Sequence, residues 1–118
     1  MKTCQQIITE AKAKISEVSA EDVRARLARG EDLVLIDVRE QNEWVLGHAK
    51  PAQYIGRGVL ESQIEARVPR ESDVVLMCAG GNRSALAACS LLEMGYVKVS
   101  SMIGGYRAWL DCGGEVES

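Results

Sequence analysis

Cys78 is followed by Ala79-Gly80-Gly81-Asn82-Arg83-Ser84, and this segment lies between a short β-branched run, Val74-Val75-Leu76-Met77, and a stretch of helix formers from Ala85 to Met94. The order is strand, loop, helix. Glycines at 80 and 81 let the backbone turn tightly, so that successive N–H groups converge on one point. Ser84 is expected to cap the helix, whose N-terminus adds roughly half a positive charge aimed at the same place. Such a cup stabilises a thiolate or a bound anion. A free cysteine ionises near pH 8.5, and helix N-termini or neighbouring cations bring that value down, so Cys78 is expected to be substantially ionised near neutrality. Ionised sulfur is a nucleophile. An isolated cysteine more often packs as a small hydrophobe, but two glycines, an arginine and a helix start argue for chemistry at this one.

Arg83 is the loop's cationic side chain. Its planar fork suits the charged oxygens of a donor, and the same fork could instead tie the loop down through backbone carbonyls. Cys4, Cys89 and Cys112 show neither CxxC pairing nor regular metal-ligand spacing, and His48 is the only histidine. Neither zinc nor any other cofactor is expected. Cys89 is expected to be a helix-packing residue, and His48, next to Gly47 at a turn, a hydrogen-bonded structural element. Arg57, in Gly56-Arg57-Gly58, is expected near the site entrance or bridging helices.

The 118 residues, 47% hydrophobic and 26% charged, suit one α/β domain with a core large enough to fold alone. A formal net charge of −3 and the lack of a clustered basic face argue against nucleic-acid binding. No apolar run approaches a membrane span, and the N-terminus leads into an amphipathic pattern rather than a secretory segment, so a cytoplasmic protein is expected. Ile7, Ile8, Ala11, Ile15 and Val18 recur at helical spacing and predict a helix over 4–16 that covers the domain's flank. Ser19 to Gly30 is a second helix, capped by Ser19 and ended by the glycine. Leu33-Val34-Leu35-Ile36 is a buried strand with Asp37-Val38-Arg39 at its C-terminal end. A short helix with Trp44 and Val45, a strand over 52–55, a helix over 59–68 carrying Leu60, Ile64 and Val68 inward, a strand over 97–101 and a last helix with Tyr106, Trp109 and Leu110 complete the chain. Strands separated by helices imply a mostly parallel sheet covered on both faces, with ligands at the carboxyl ends of its strands. Cys78 and Asp37 both fall there.

Several separated motifs carry a family resemblance: Leu35-Ile36-Asp37-Val38-Arg39-Glu40 with Glu43-Trp44, Gly47-His48, Gly56-Arg57-Gly58-Val59-Leu60-Glu61, the Cys78–Ser84 segment, and Ile103-Gly104-Gly105-Tyr106-Arg107-Ala108-Trp109. In order and spacing they resemble the rhodanese-like domain, a single-domain sulfurtransferase family. The resemblance divides the chain into an N-terminal amphipathic helix, 1–17, and a domain over 18–118. It implies a five-stranded mostly parallel sheet with helices on both faces. It also implies a cysteine, Cys78, that accepts a sulfane sulfur as a persulfide and passes it to a thiol or cyanide, with Ala79, Gly80, Gly81, Asn82, Arg83 and Ser84 as the stabilising loop. Together with their position, it suggests an ion-pair role for Asp37 and Arg39 in fixing the strand ends.

The partners implied are a small-molecule donor, thiosulfate or a low-molecular-weight persulfide, and a thiol acceptor that includes protein thiols; neither nucleic acid nor membrane is implied. Many relatives carry a basic residue directly after the cysteine. Here Ala79 takes that place, which weakens the case for thiosulfate as the donor. Two rivals stand beside this reading. Cysteine-dependent phosphatases share the strand–loop–helix plan but resemble one another in having five residues between cysteine and arginine, whereas Cys78 and Arg83 enclose four. A non-enzymatic binding or redox-sensing module would keep the domain without turnover.

Overall fold

The computed structural model describes residues 1–118. Helix α1, Cys4–Lys14, begins at Thr3, whose hydroxyl accepts the Gln6 N–H while the Gln6 side chain returns to the Thr3 N–H. It ends two residues before the expected limit, because Ile15 is extended and the chain continues into strand β1, Ser16–Val18. Val18 therefore belongs to the sheet and not to the α1 stripe. Helix α2, Ala20–Ala28, is capped by Ser19, which accepts the Asp22 N–H at 3.0 Å. Strand β2, Leu33–Asp37, leads into α3, Gln41–Leu46. Two short strands follow, β3 at His48–Ala49 and β4 at Gln53–Tyr54. A 3-10 turn over Arg57–Val59 opens α4, Leu60–Arg67. Then come β5, Asp73–Met77, α5, Asn82–Glu93, β6, Lys98–Met102, α6, Gly105–Asp111, and β7, Val116–Glu117.

Five strands form one sheet in the order β1-β6-β5-β2-β4, and every pairing in it is parallel. The expected five-stranded sheet with helices on both faces and an added N-terminal helix is what the chain forms. β3 and β7 make a separate antiparallel ribbon, which the sequence did not announce. Parallel strands demand connections long enough to carry a helix, and those helices bury both faces. On one face Ile36, Val74 and Leu76 pack with Leu60 and Ile64 of α4 and Ala87, Ala88 and Leu91 of α5; on the other, Leu35, Val75 and Met77 meet Val23 of α2 and Trp109 of α6. The two-residue alternation along β2 and β5 is the strand period expressed on both sides of a sheet.

Helix α1 buries Ile8 and Ala11 and leaves Ile7 exposed; it lies on α5, where the Cys89 thiol donates to the Ala11 carbonyl at 3.6 Å. Arg57 bridges elements: its guanidinium holds Glu61 at 2.9 Å and Ser90 on α5 at 3.3 Å. No helix is long and apolar enough to cross a membrane.

Candidate active site

β5 sits in the middle of the sheet between β2 and β6, so the residue after its last hydrogen-bonded position emerges between the loops of both neighbours. That residue is Cys78. Four residues separate the end of β5 from the start of α5, a tight reversal that brings the loop amides under the sulfur. The Gly81 N–H donates to Sγ at 3.0 Å and the Ser84 N–H at 3.4 Å. The thiol lies 3.5 Å from the Ser84 hydroxyl. Burial pushes the Cys78 thiol up, but hydrogen bonds from the Ser84 hydroxyl and from the N–H groups of Ser84, Gly81 and Gly80 together outweigh it, and the net displacement is downward.

The helix start differs from expectation. Gly81, at φ 101°, is the N-cap of α5, and Ser84 stands inside the first turn, where its hydroxyl is turned toward Cys78 rather than onto an orphan N–H. Glycine is required here, because φ lies in the left-handed region and a Cβ would approach the Gly104 N to 3.3 Å. The sulfur is buried beneath the loop. Cys78 is 1% exposed and Gly81 and Ser84 are buried, while Gly80 and Asn82 are exposed and Ala79 and Arg83 intermediate.

The loop is braced from three directions. From below, the Tyr106 and Arg107 N–H groups of α6 donate to the Cys78 and Ala79 carbonyls at 2.7 and 3.4 Å, an approach that only Gly105 permits, since a Cβ there would collide with the Cys78 carbonyl. From α3, Glu43 receives the Arg83 guanidinium at 3.0 and 3.4 Å. This pairing raises the Arg83 pKa and lowers that of Glu43, the direct hydrogen bond being the main cause in each case. Arg83 is thus held by a carboxylate, not by backbone carbonyls. From β2, buried Asp37 and Arg39 pair at 2.9 Å; Arg39 also donates to the Gly47 carbonyl at 2.8 Å and stacks 4.2 Å above the Tyr106 ring. One buried guanidinium so ties together the end of β2, the end of α3 and the start of α6.

Glu43, Tyr106 and Ser101 join the site although their types and spacing gave no reason to single them out as site residues. Glu43 and Tyr106 stood inside recognised motifs; Ser101 had no local signal at all. The His48 ring stacks on Trp44 at 3.5 Å with 4° between planes, Nδ1 lies 2.9 Å from the Trp44 carbonyl oxygen, and Nε2 lies 3.4 Å from a Glu117 carboxylate oxygen. A shallow cavity of about 240 Å³ lined by Arg39, Glu43, Leu46, Gly47 and Tyr106 opens beside the loop. The largest cleft, about 570 Å³, lies on the α2 and α6 side around Arg24, Lys50 and Trp109 and is lined by neither a thiol nor a hydroxyl. Chemistry, not volume, therefore selects the loop as the site. No cluster of three or more His, Cys, Asp or Glu side chains is arranged to hold a metal ion.

A model of the rhodanese-like domain family matches residues 19–112. A sulfurtransferase from Allochromatium vinosum is 32% identical over 95 residues, covering 80% of this chain and 88% of its own length. Among solved structures, a protein of unknown function from Rhodopseudomonas palustris, described as a possible tyrosine phosphatase, superposes with a TM-score of 0.89 at 32% identity over 99% of this chain and 96% of its own. A thiosulfate sulfurtransferase from Pseudomonas aeruginosa matches with a TM-score of 0.80 at 33% identity over 86% of this chain, which corresponds to only 20% of that larger protein.

Proposed function

This chain belongs to the rhodanese-like domain family, and from that premise we propose that it is a sulfurtransferase working through a persulfide on Cys78. The observation that carries the reading is the nest around one sulfur: the Gly81 N–H donates to it at 3.0 Å and the Ser84 N–H at 3.4 Å, and the Ser84 hydroxyl faces it at 3.5 Å, where it becomes a third donor once the sulfur is ionised. Donors fixed in advance in a site with little water stabilise negative charge without reorganising when it forms.

In the first half-reaction the Cys78 thiolate attacks the outer sulfur of the donor. With thiosulfate, the S–S bond of the donor breaks, sulfite leaves with the bonding pair, and Cys78 carries a persulfide anion. In the second, a thiolate or cyanide attacks the outer sulfur of that persulfide and the Cys78 thiolate is regenerated. Charge and atoms balance in both halves, and no strong base is required. The persulfide sets the reactive atom about 2 Å beyond Sγ, which lifts it from a 1% exposed position toward the acceptor. Because Glu43 neutralises Arg83 and Ala79 brings no charge, the loop offers little net cation to a dianionic donor. A persulfide of cysteine or glutathione, bearing one charge on its reactive end, suits this site better than thiosulfate. Acceptors with a thiol, protein thiols among them, suit the apolar Leu46 and Tyr106 beside the loop.

The likeness to the Rhodopseudomonas protein keeps phosphate ester hydrolysis as the second reading. Four residues between Cys78 and Arg83, and a guanidinium already bound to Glu43, argue against a cup for a phosphoryl group. The deciding assay offers thiosulfate, glutathione persulfide and p-nitrophenyl phosphate to wild type and Cys78→Ser. Transfer from the persulfide, weaker transfer from thiosulfate, and loss of both in the variant are expected. Turnover of the phosphate ester alone would reverse the assignment.

A further inference from the structure

Behind Ser84 lies a second buried hydroxyl. Ser101, on β6 beside Leu76 of β5, is 0% exposed, and its Oγ lies 2.7 Å from the Ser84 Oγ. Neither hydroxyl has another side-chain or backbone partner, so Cys78, Ser84 and Ser101 form a short isolated chain with two contacts, Sγ to Oγ and Oγ to Oγ. We infer that Ser101 is a positioning residue for Cys78: it donates to Ser84, and Ser84 in turn donates to the ionised sulfur. The inference rests on the reading of Cys78 as a working thiolate and goes beyond it by naming the group that aims the Ser84 proton.

Counting hydrogens gives the direction. With a neutral thiol the chain holds three polar hydrogens for two contacts, and one must stay unbonded in a dry interior. With a thiolate it holds two hydrogens for two contacts, and each has an acceptor: Ser101 to Ser84, Ser84 to sulfur. Buried polar hydrogens without partners are disfavoured, so the arrangement favours loss of the thiol proton. Donation from Ser101 also polarises the Ser84 O–H, since chained hydrogen bonds strengthen one another. The ionisable groups around the loop are Arg83 on α5, Glu43 on α3 with Glu40 at that helix's N-cap, the Asp37–Arg39 pair at the end of β2, and Tyr106 on α6. None of these side chains bonds either hydroxyl, so serine substitutions leave them in place.

Thiolate absorbance in the ultraviolet, titrated against pH with Cys78→Ala subtracted to remove the other cysteines, reads the ionisation without any sulfur donor. For Ser84→Ala the Cys78 ionisation constant is expected to fall roughly tenfold, and for Ser101→Ala roughly two- to threefold, as losses of a direct and of a relayed hydrogen bond to a charge. In the Ser84→Ala background, Ser101→Ala should add nothing, because its effect runs through Ser84. The isosteric pair Ser101→Thr and Ser101→Val gives an independent reading: threonine should keep the wild-type constant and valine reproduce the alanine value. An unchanged constant in Ser101→Ala or Ser101→Val, or an equal drop in the Ser84→Ala background, overturns the inference while leaving the thiolate reading intact. A wild-type thiol titrating at the ordinary value overturns the thiolate reading itself.

Discussion

The Cys78 thiol is under two opposed influences, and the balance between them sets the pH range of the chemistry. Burial disfavours the anion, while the Ser84 hydroxyl and three backbone N–H groups favour it, and the net displacement is downward. Folding therefore prefers the thiolate. The stability this adds is fully present above the pKa of the unfolded thiol, about 8.5, and is lost as pH falls through the lower folded value. Sulfur uptake should follow the same ionisation, levelling off below pH 8.5 and falling on acidification; a rate from stopped-flow mixing that still climbs above that pH contradicts the assignment. Arg83 and Glu43 belong to the same scale. Both are about one-third exposed, so their pair contributes about 1 kcal/mol or less. Glu43→Gln should leave the urea midpoint almost unchanged, yet free the guanidinium beside the sulfur and lower the KM for thiosulfate. A large loss of stability without any change in KM would make the pair purely structural. Asp37 and Arg39 differ because both are buried. Asp37→Asn leaves the guanidinium without its counter-charge and should cost about 3–5 kcal/mol in urea unfolding.

At the scale of elements, the loop depends on α6 pressing against it. The Tyr106 N–H reaches the Cys78 carbonyl at 2.7 Å because Gly105, at φ 53°, has no side chain to keep the backbones apart. Gly105→Ala combines an unfavourable left-handed φ with a collision, and should remove roughly 2 kcal/mol or more of stability together with persulfide formation. A variant of wild-type stability and activity would show that this contact does not shape the loop. The same scale decides what the sequence could reveal. β2, β5, α5 and their order were legible because each is a local pattern: a β-branched run, a glycine turn, a periodic apolar helix. The pairing of Asp37 with Arg39 was legible in part because the two residues stand two positions apart. β1, three residues long, and the β3–β7 ribbon, two residues on each side, carry no period to detect; they exist because a sheet edge and a chain end happen to meet them. Ser84 misled because a serine at a helix start is ordinarily a cap, and only the fold shows that a left-handed glycine already ends the loop. The Glu43–Arg83 and Ser84–Ser101 contacts join residues 40 and 17 positions apart and follow from strand order alone.

For the molecule as a whole, the site lies at the carboxyl end of the central strand, and everything else holds that end still. Helix α1 is an addition on the far side of α5, outside the matched segment of 19–112. Its main anchor is Ile8, with Ala11, so removing residues 1–14 while keeping β1 should lower stability by about 2–3 kcal/mol and leave sulfur transfer within a factor of roughly 2–3 of the full chain. Loss of transfer in a folded truncated chain would give α1 a share in the site. The central claim, that one sulfur shielded by loop amides carries a second sulfur, is tested most directly by mass spectrometry of the protein after brief exposure to glutathione persulfide. One added sulfur atom, mapped to the peptide containing Cys78, removed by cyanide and absent from Cys78→Ser, is the predicted result. Addition at Cys4 or Cys112 with Cys78 unmodified would contradict it.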